Sequence, residues 1–460
     1  VGAGWKSYGF LDVMGGRYAC RQWLGFGNDP TGAGVGRLSG GLFKVEVSCL
    51  CFSRGGWGEM YMTGGTLDAT GNGSEPGIRL GMLRWSGTSA ANPERNKGIF
   101  TMDGDGDPYV KIGSSSWFDL TERTNAFEGV VCLNAGVMEV SRFQKSDMFK
   151  ADRNRNGLAK GYIMFNGGTF RSAANSSNIF GPTDLTADRV TVFPGGATLD
   201  VNGKTASNAA VPFEKPYGKG VASIAWPSGT ATNNFLGAPE VVISGGGGTG
   251  AVAHCTFDAR SGTIGKIVVV SPGWGYTSAP TVTIKNAGRT ADIACVVTLT
   301  DGEEQPGGGL TLTNSSATAG TFTLTAANTY TGPTVVAGGT LKLGAADAIP
   351  SANEVRLAGR VVKDEAVSSQ LLYIVLYVVL LALSILLCLW AGVGWQNSLG
   401  ASITSLSNVG PALGEMGSMG NFNMAPDAAK FVFTMDMFLG RIEIYPVLAV
   451  VAMIFDRRNR

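Results

Sequence analysis

Two patterns of apolar and polar positions divide the chain. From Val1 to about Asn353, Gly-Gly pairs precede short runs in which apolar and polar residues alternate. Examples are Gly40-Gly41-Leu42-Phe43, Gly64-Gly65-Thr66-Leu67, Gly167-Gly168-Thr169-Phe170, Gly195-Gly196-Ala197-Thr198-Leu199 and Gly338-Gly339-Thr340-Leu341. Glycine permits the φ > 0 turn, and alternation sends one side of each strand into a core. No helical period intervenes. The pattern therefore predicts a mainly β region built as a parallel β-solenoid or β-helix, with a β-sandwich array as the alternative.

The second pattern begins near Lys363. Leu371 to Gly394 is about two dozen residues without a charge. As a helix it would be roughly 36 Å long, enough to cross a bilayer core. Gln396 to Ser407 follows as a shorter uncharged stretch, roughly 18 Å if helical, which reaches only part of the way. Asn408-Val409-Gly410-Pro411-Ala412-Leu413-Gly414 cannot remain helical, and a further helix is predicted from about Pro426 to Phe455. Helix, half helix, glycine loop, helix is the plan of a membrane hairpin with a re-entrant pore loop. Backbone carbonyls of such a loop replace the water shell of a dehydrated ion. Here Asn408, Val409 and Gly410 would supply them, glycine reaching dihedrals closed to other residues. Pro411 would end the turn, and Gly414 belongs to its support. Four segments follow: residues 1–240 solenoid-like, 241–300 a short β-repeat module, 301–353 a further β-repeat, and 354–460 the membrane part.

Composition narrows the functional classes. Gly is 68 of 460 residues and charged residues are only 15%. Lys+Arg 36 against Asp+Glu 35 leaves a net charge of +1, which gives no electrostatic case for a nucleic-acid partner. The seven cysteines are scattered and form no CxxC, so neither a zinc ribbon nor a disulfide scaffold is indicated. Cys49 and Cys51 are expected on opposite faces of a strand. The chain opens at Val1 without a basic-then-apolar leader, as expected of a fragment or, alternatively, of a chain whose signal peptide has been removed.

Gly308 to Gly344 resembles the autotransporter-associated β-strand repeat, above all in the run Leu324 to Gly332 leading to Gly338-Gly339-Thr340-Leu341. The resemblance implies a secreted β-helical passenger of a bacterial surface. Gly245 to Gly248 with Gly273 to Ile284 is similar to another short β-repeat of bacterial surface and phage proteins. From Glu354 onward the chain resembles the last repeat of the Trk/Ktr/HKT potassium transporter family, in its TrkH branch. The residues that carry this are Val355-Arg356-Leu357, Val362 to Val367, Ser407 to Gly414, Pro426-Asp427, Lys430 and Leu439 to Ile444. That family folds four such repeats into one pore, each with a filter loop and a key glycine, here Gly410. The resemblance implies K+ as the transported ion, with Arg441 below the filter near the gating region. It also implies as partners membrane lipid, the remaining pore repeats or a second pore subunit, and a cytosolic nucleotide-binding regulatory subunit.

Basic residues flank both outer ends of the membrane part: Arg356, Arg360 and Lys363 before it, Arg457, Arg458 and Arg460 after it. The positive-inside rule then places both ends in the cytoplasm, although the relatives of the β-region are exported. A fusion or chimeric gene joined near Asn353 is the expectation this conflict produces. The expected activity is potassium transport at a bacterial inner membrane. A surface adhesin or scaffold with a C-terminal anchor is the alternative.

Other motifs fall short. Asp103 to Asp107 and Asp152 to Gly157 have the spacing of half a calcium loop but lack its closing carboxylate. Gly203-Lys204-Thr205 lacks the earlier glycine of a phosphate loop, and Gly245 to Gly250 lacks a following helix. His254, the one histidine, adjoins Cys255 with no third ligand in view. An aromatic groove for glycans among Trp57, Trp85, Trp117 and Trp274 cannot be assembled from sequence. No acid/base or nucleophile constellation stands out, so no enzyme is expected.

Overall fold

Strands from successive turns of the chain lie parallel and in register, so each coil supplies the hydrogen-bond partners of the next. The computed structural model describes residues 2–442 apart from 5, 30, 54, 72–76, 82–96, 123–126, 147–158, 183, 210, 286, 288–290, 359, 362–363 and 418–419. Two compact units form, Val1–Val361 and Val362–Arg460.

In the first unit one coil runs through Tyr8–Val13, Arg17–Cys20 and Leu24–Phe26, and the next through Ala33–Leu38, Leu42–Val45 and Cys49–Phe52. Tyr8 pairs opposite Ala33, Arg17 opposite Leu42 and Leu24 opposite Leu50, all in parallel. Stacking continues along one face to Phe213–Glu214 and along a second through Leu310–Thr313 to Val355–Leu357. This is a parallel solenoid, not a sandwich. Val355-Arg356-Leu357, whose sequence resembles a transporter repeat, forms its last parallel rung here.

Inward side chains stack coil upon coil. Phe26 lies on Phe52 with centroids 5.0 Å apart, Phe100 on Phe118 at 5.3 Å and Phe118 on Phe143 at 5.6 Å. Such pairs contribute about 0.5–1.5 kcal/mol beyond their burial. One glycine of each quoted Gly-Gly pair takes a positive φ: Gly41, Gly65, Gly167, Gly196 and Gly339. These corners need the left-handed region that glycine alone enters without penalty.

Between Glu214 and Leu310 the chain leaves the coil and turns antiparallel. Val221–Ala225 pairs with Ile293–Leu299, and Val241–Ser244 pairs with Thr281–Ile284. A long hairpin joins Thr249–Asp258 to Thr263–Trp274. The module thus starts near Val221, before the expected residue 241. It lies across the outer side of the first solenoid face, where Trp57, Ile99 and Val130 meet Val242, Val252 and Trp274 in one buried cluster. The Tyr8 hydroxyl donates to the Ala238 carbonyl at 2.6 Å, and Asn134 Nδ2 to the Val270 carbonyl at 2.9 Å.

Cys49 and Cys51 correct an expectation. Residues two apart on a strand share a face, and their sulfurs are 3.1 Å apart in a buried pocket. None of the seven cysteines forms a disulfide among the described residues.

The second unit contains α1 (Asp364–Trp390), α2 (Trp395–Ser407) and α3 (Asp427–Ile442). Among the described residues one helix, Leu372–Trp390, is long and apolar enough to cross a membrane. The apolar run continues to Gly394, but the helix stops at Trp390 because the chain turns through Gly392 at φ +91°. The last helix was expected to reach Phe455; residues 443–460 lie outside the described ones.

Candidate functional sites

Serines and small residues give α2 a face that packs closely. Ser398, Ala401, Ser402 and Ser405 are buried. Small side chains let helix backbones approach and leave hydroxyls to bond across them. Ser384 of α1 bridges Ser402 of α2, 2.8 Å away, and the Asp436 carboxylate of α3, which accepts its proton. Gly440 is required here: a Cβ on it would sit 1.8 Å from the Leu406 carbonyl oxygen at the end of α2.

α2 ends at Asn408, which adopts the left-handed conformation at φ 52°, ψ 33°. Asn is among the few residues that tolerate it. Its Nδ2 donates to the Met437 carbonyl at 3.3 Å, and the Thr404 hydroxyl donates to the Pro411 carbonyl at 3.0 Å. The predicted filter residues Asn408, Val409 and Gly410 are therefore consecutive in a non-helical loop, exposed, with Gly410 at φ +111°. Pro411 is held by the Thr404 bond, and Gly414, at φ +75°, opens a short turn against Asn397. Arg441 is exposed in the last turn of α3. The loop by itself surrounds no ion.

A second site lies where the module meets the solenoid. Register places Val35 beside Glu59 and Arg37 beside Tyr61, all outward from adjacent coils. The hairpin strand Thr249–Asp258 covers them and completes a cavity of about 350 Å³. Glu59 is buried, accepts a 3.2 Å bond from Trp57 Nε1, and lines the floor. Burial above all pushes its carboxyl up to about 7, Glu240 adding to the rise while Trp57 and Lys97 oppose it. His254 stacks on Tyr61 with ring centroids 3.8 Å apart. It too is buried, and its Nδ1 has no hydrogen-bond partner among the described residues. Burial, then Arg37 and Lys266, lowers its pKa to about 4, so the imidazole is neutral. Arg37 is paired with Asp12, its Nε 2.9 Å from Asp12 Oδ1 and its Nη2 on Asp12 Oδ2, and its Nη1 lies 2.9 Å from the Phe257 carbonyl.

Sequence reading dismissed His254 and did not notice Glu59 or Tyr61. Trp57 and Trp274 are buried together under the module and line no exposed groove; Trp85 lies outside the described residues. Asp103 to Asp107 forms an irregular bulge in the strand Lys97–Ile112, and Asp152 to Gly157 lies outside the described residues. Among the described residues no group of three or more His, Cys, Asp or Glu is placed to hold a metal ion.

Comparison with known proteins covers only short stretches of the chain. The family described as Passenger-associated-transport-repeat matches residues 319–343. Those residues include the strands Thr321–Leu324 and Thr334–Val336, which pair into successive parallel coils. A Trk system potassium uptake protein TrkI of Halomonas elongata is 41% identical over 68 residues, which is 15% of this chain and 14% of that protein. The chain thus spans about one seventh of that relative's length. No solved structure matches. The chain therefore combines a β-solenoid bearing a passenger-type repeat with similarity to a potassium uptake protein over a short stretch.

Proposed function

We propose that the chain acts as a surface scaffold of the passenger type, its solenoid held at a membrane by the C-terminal helices. The observation that carries this reading is the parallel stacking along the second face from Arg17–Cys20 to Val355–Leu357, with the passenger-type repeat in the same solenoid. A solenoid gains stability coil by coil and presents long faces, which suits extended display. The apolar helix Leu372–Trp390 supports attachment to a membrane. The test is expression in a bacterial host followed by protease treatment of intact cells. Solenoid fragments released from whole cells agree with the reading. A solenoid cut only after lysis refutes it.

A second reading is favoured by the loop at Asn408 and by the TrkI similarity. In it the second unit is one repeat of a potassium pore, and partner repeats supply the other loops. The carbonyls of Asn408, Val409 and Gly410 then face the ion path, Pro411 and Gly414 hold the loop, and Arg441 lies toward the gating region. Both the apolar α1 and the break after α2 support it. Potassium uptake in a transport-deficient host, with Gly410→Asp as comparison, is the assay. Growth at low potassium that Gly410→Asp abolishes agrees with this reading; no growth above the empty vector contradicts it.

A further inference from the structure

We propose that the cavity between the first solenoid face and the module hairpin binds a neutral, hydroxyl-rich ring: a monosaccharide or the terminal sugar of a glycan. The site goes beyond the scaffold reading and stands whether or not that reading does. Its size fits, since small-molecule pockets begin at about 300 Å³ and this one is about 350 Å³. It has an entrance, because Ser39 and Thr256 at its rim are exposed while Val35, Glu59 and Cys255 at its floor are buried.

Charge excludes the alternatives one at a time. An anion needs an uncompensated cation, and the Arg37 guanidinium is already paired with the Asp12 carboxylate through two of its nitrogens and bonded to the Phe257 carbonyl through the third. A cation needs a full negative charge, but burial disfavours ionisation of Glu59, the acidic residue of the lining. A purely apolar ligand would cover the polar side chains of Ser39, Glu59, Tyr61 and Thr256 without bonding them, which is unfavourable. A neutral polyol meets all three constraints. Its hydroxyls donate to the Glu59 carboxyl and accept from Tyr61 and Ser39, while its C–H faces lie on Val35 and Phe257.

His254 is the only histidine, so the full chain labelled at histidine Cε1 gives one NMR signal from inside the site. The protein is held in lauryldimethylamine oxide micelles, a detergent without a sugar head. Methyl α-D-glucopyranoside, methyl β-D-galactopyranoside and N-acetyl-D-glucosamine are titrated to about 100 mM, far enough to saturate a millimolar site. The expected result is a saturable shift with at least one sugar, weakened about tenfold or more in Glu59→Leu. Thr256→Trp, an exposed rim position that leaves the floor intact, is expected to block it. A matching trisaccharide binding more tightly than the methyl glycoside identifies a glycan end, and equal affinity identifies the free sugar. No saturable shift with any of the three overturns the proposal. So does a shift that both variants leave unchanged, or one produced by benzoate or guanidinium and by no sugar.

Discussion

Replacing Glu59 by glutamine isolates the energetic consequence of burying a carboxyl beneath the module. The group is 3% exposed, and its folded-state pKa is raised from the usual 4.5 to about 7. Between those values the unfolded chain has released a proton that the folded protein retains. Stability therefore falls as pH rises through that window and is fully reduced above it. Each pH unit is worth about 1.36 kcal/mol, so ionised Glu59 costs about 3 kcal/mol at pH 8. Glutamine keeps an acceptor for Trp57 Nε1 and does not titrate. The difference in unfolding free energy, variant minus wild type, should therefore be about 3 kcal/mol more favourable at pH 8 than at pH 4. Asp119, raised to about 6, and His254, lowered to about 4, titrate in both proteins and cancel in this difference. Urea unfolding of the full chain in micelles, followed by tryptophan fluorescence at pH 4, 6 and 8, measures it. A difference that stays constant with pH would refute the burial of Glu59.

Other perturbations probe separate contacts. The His254 signal should titrate near pH 4; a midpoint near 6.5 would mean that water reaches the imidazole freely. Phe118→Ala removes a fully buried ring between Phe100 and Phe143 and should cost about 3–5 kcal/mol in urea unfolding, whereas a loss under about 1 kcal/mol would deny the aromatic stack. Gly440→Val places a methine carbon where the Leu406 carbonyl already lies. Amide exchange at Asn408 and Val409 should then quicken by about tenfold, the equivalent of about 1.4 kcal/mol, and unchanged exchange would show that α2 and α3 do not touch there.

The solenoid was legible because its two signals are local. A Gly-Gly corner and an alternating strand need no distant partner to be recognised, and Thr169–Ser172 with Ala197–Asp200 show both. The cover over the first face was not legible. Alternation reports which side of a strand is apolar, and it misses a strand buried on both sides. A signal was nevertheless present in Glu128–Leu133, whose Gly-Val-Val-Cys-Leu run is buried without interruption. Such a run belongs to a sheet covered twice. The polar cavity residues gave less warning, since Glu59 and His254 are 195 positions apart in sequence and meet only because the hairpin folds back. In the second unit the break after Ser407 could be read from Asn, Gly and Pro in succession. The approach of Gly440 to Leu406 could not, because it depends on how α3 packs against α2.

The module and the solenoid face it covers make physical sense only together. Ile99, Val130, Cys132 and Met164 point outward from the coil, and without a cover they would leave an apolar stripe facing water. Val242, Val252, Val270 and Trp274 supply the complementary surface, so both partners gain from contact. That gain is large enough to carry a few buried polar groups with it. Thr101 and His254 each retain a buried polar atom without a partner among the described residues, and Glu59 is held mostly protonated below pH 7. Such groups are costly in a core that could have been wholly apolar. Glu59 and His254 line the cavity that opens toward Ser39 and Thr256, and that is where water, or a molecule rich in hydroxyls, enters.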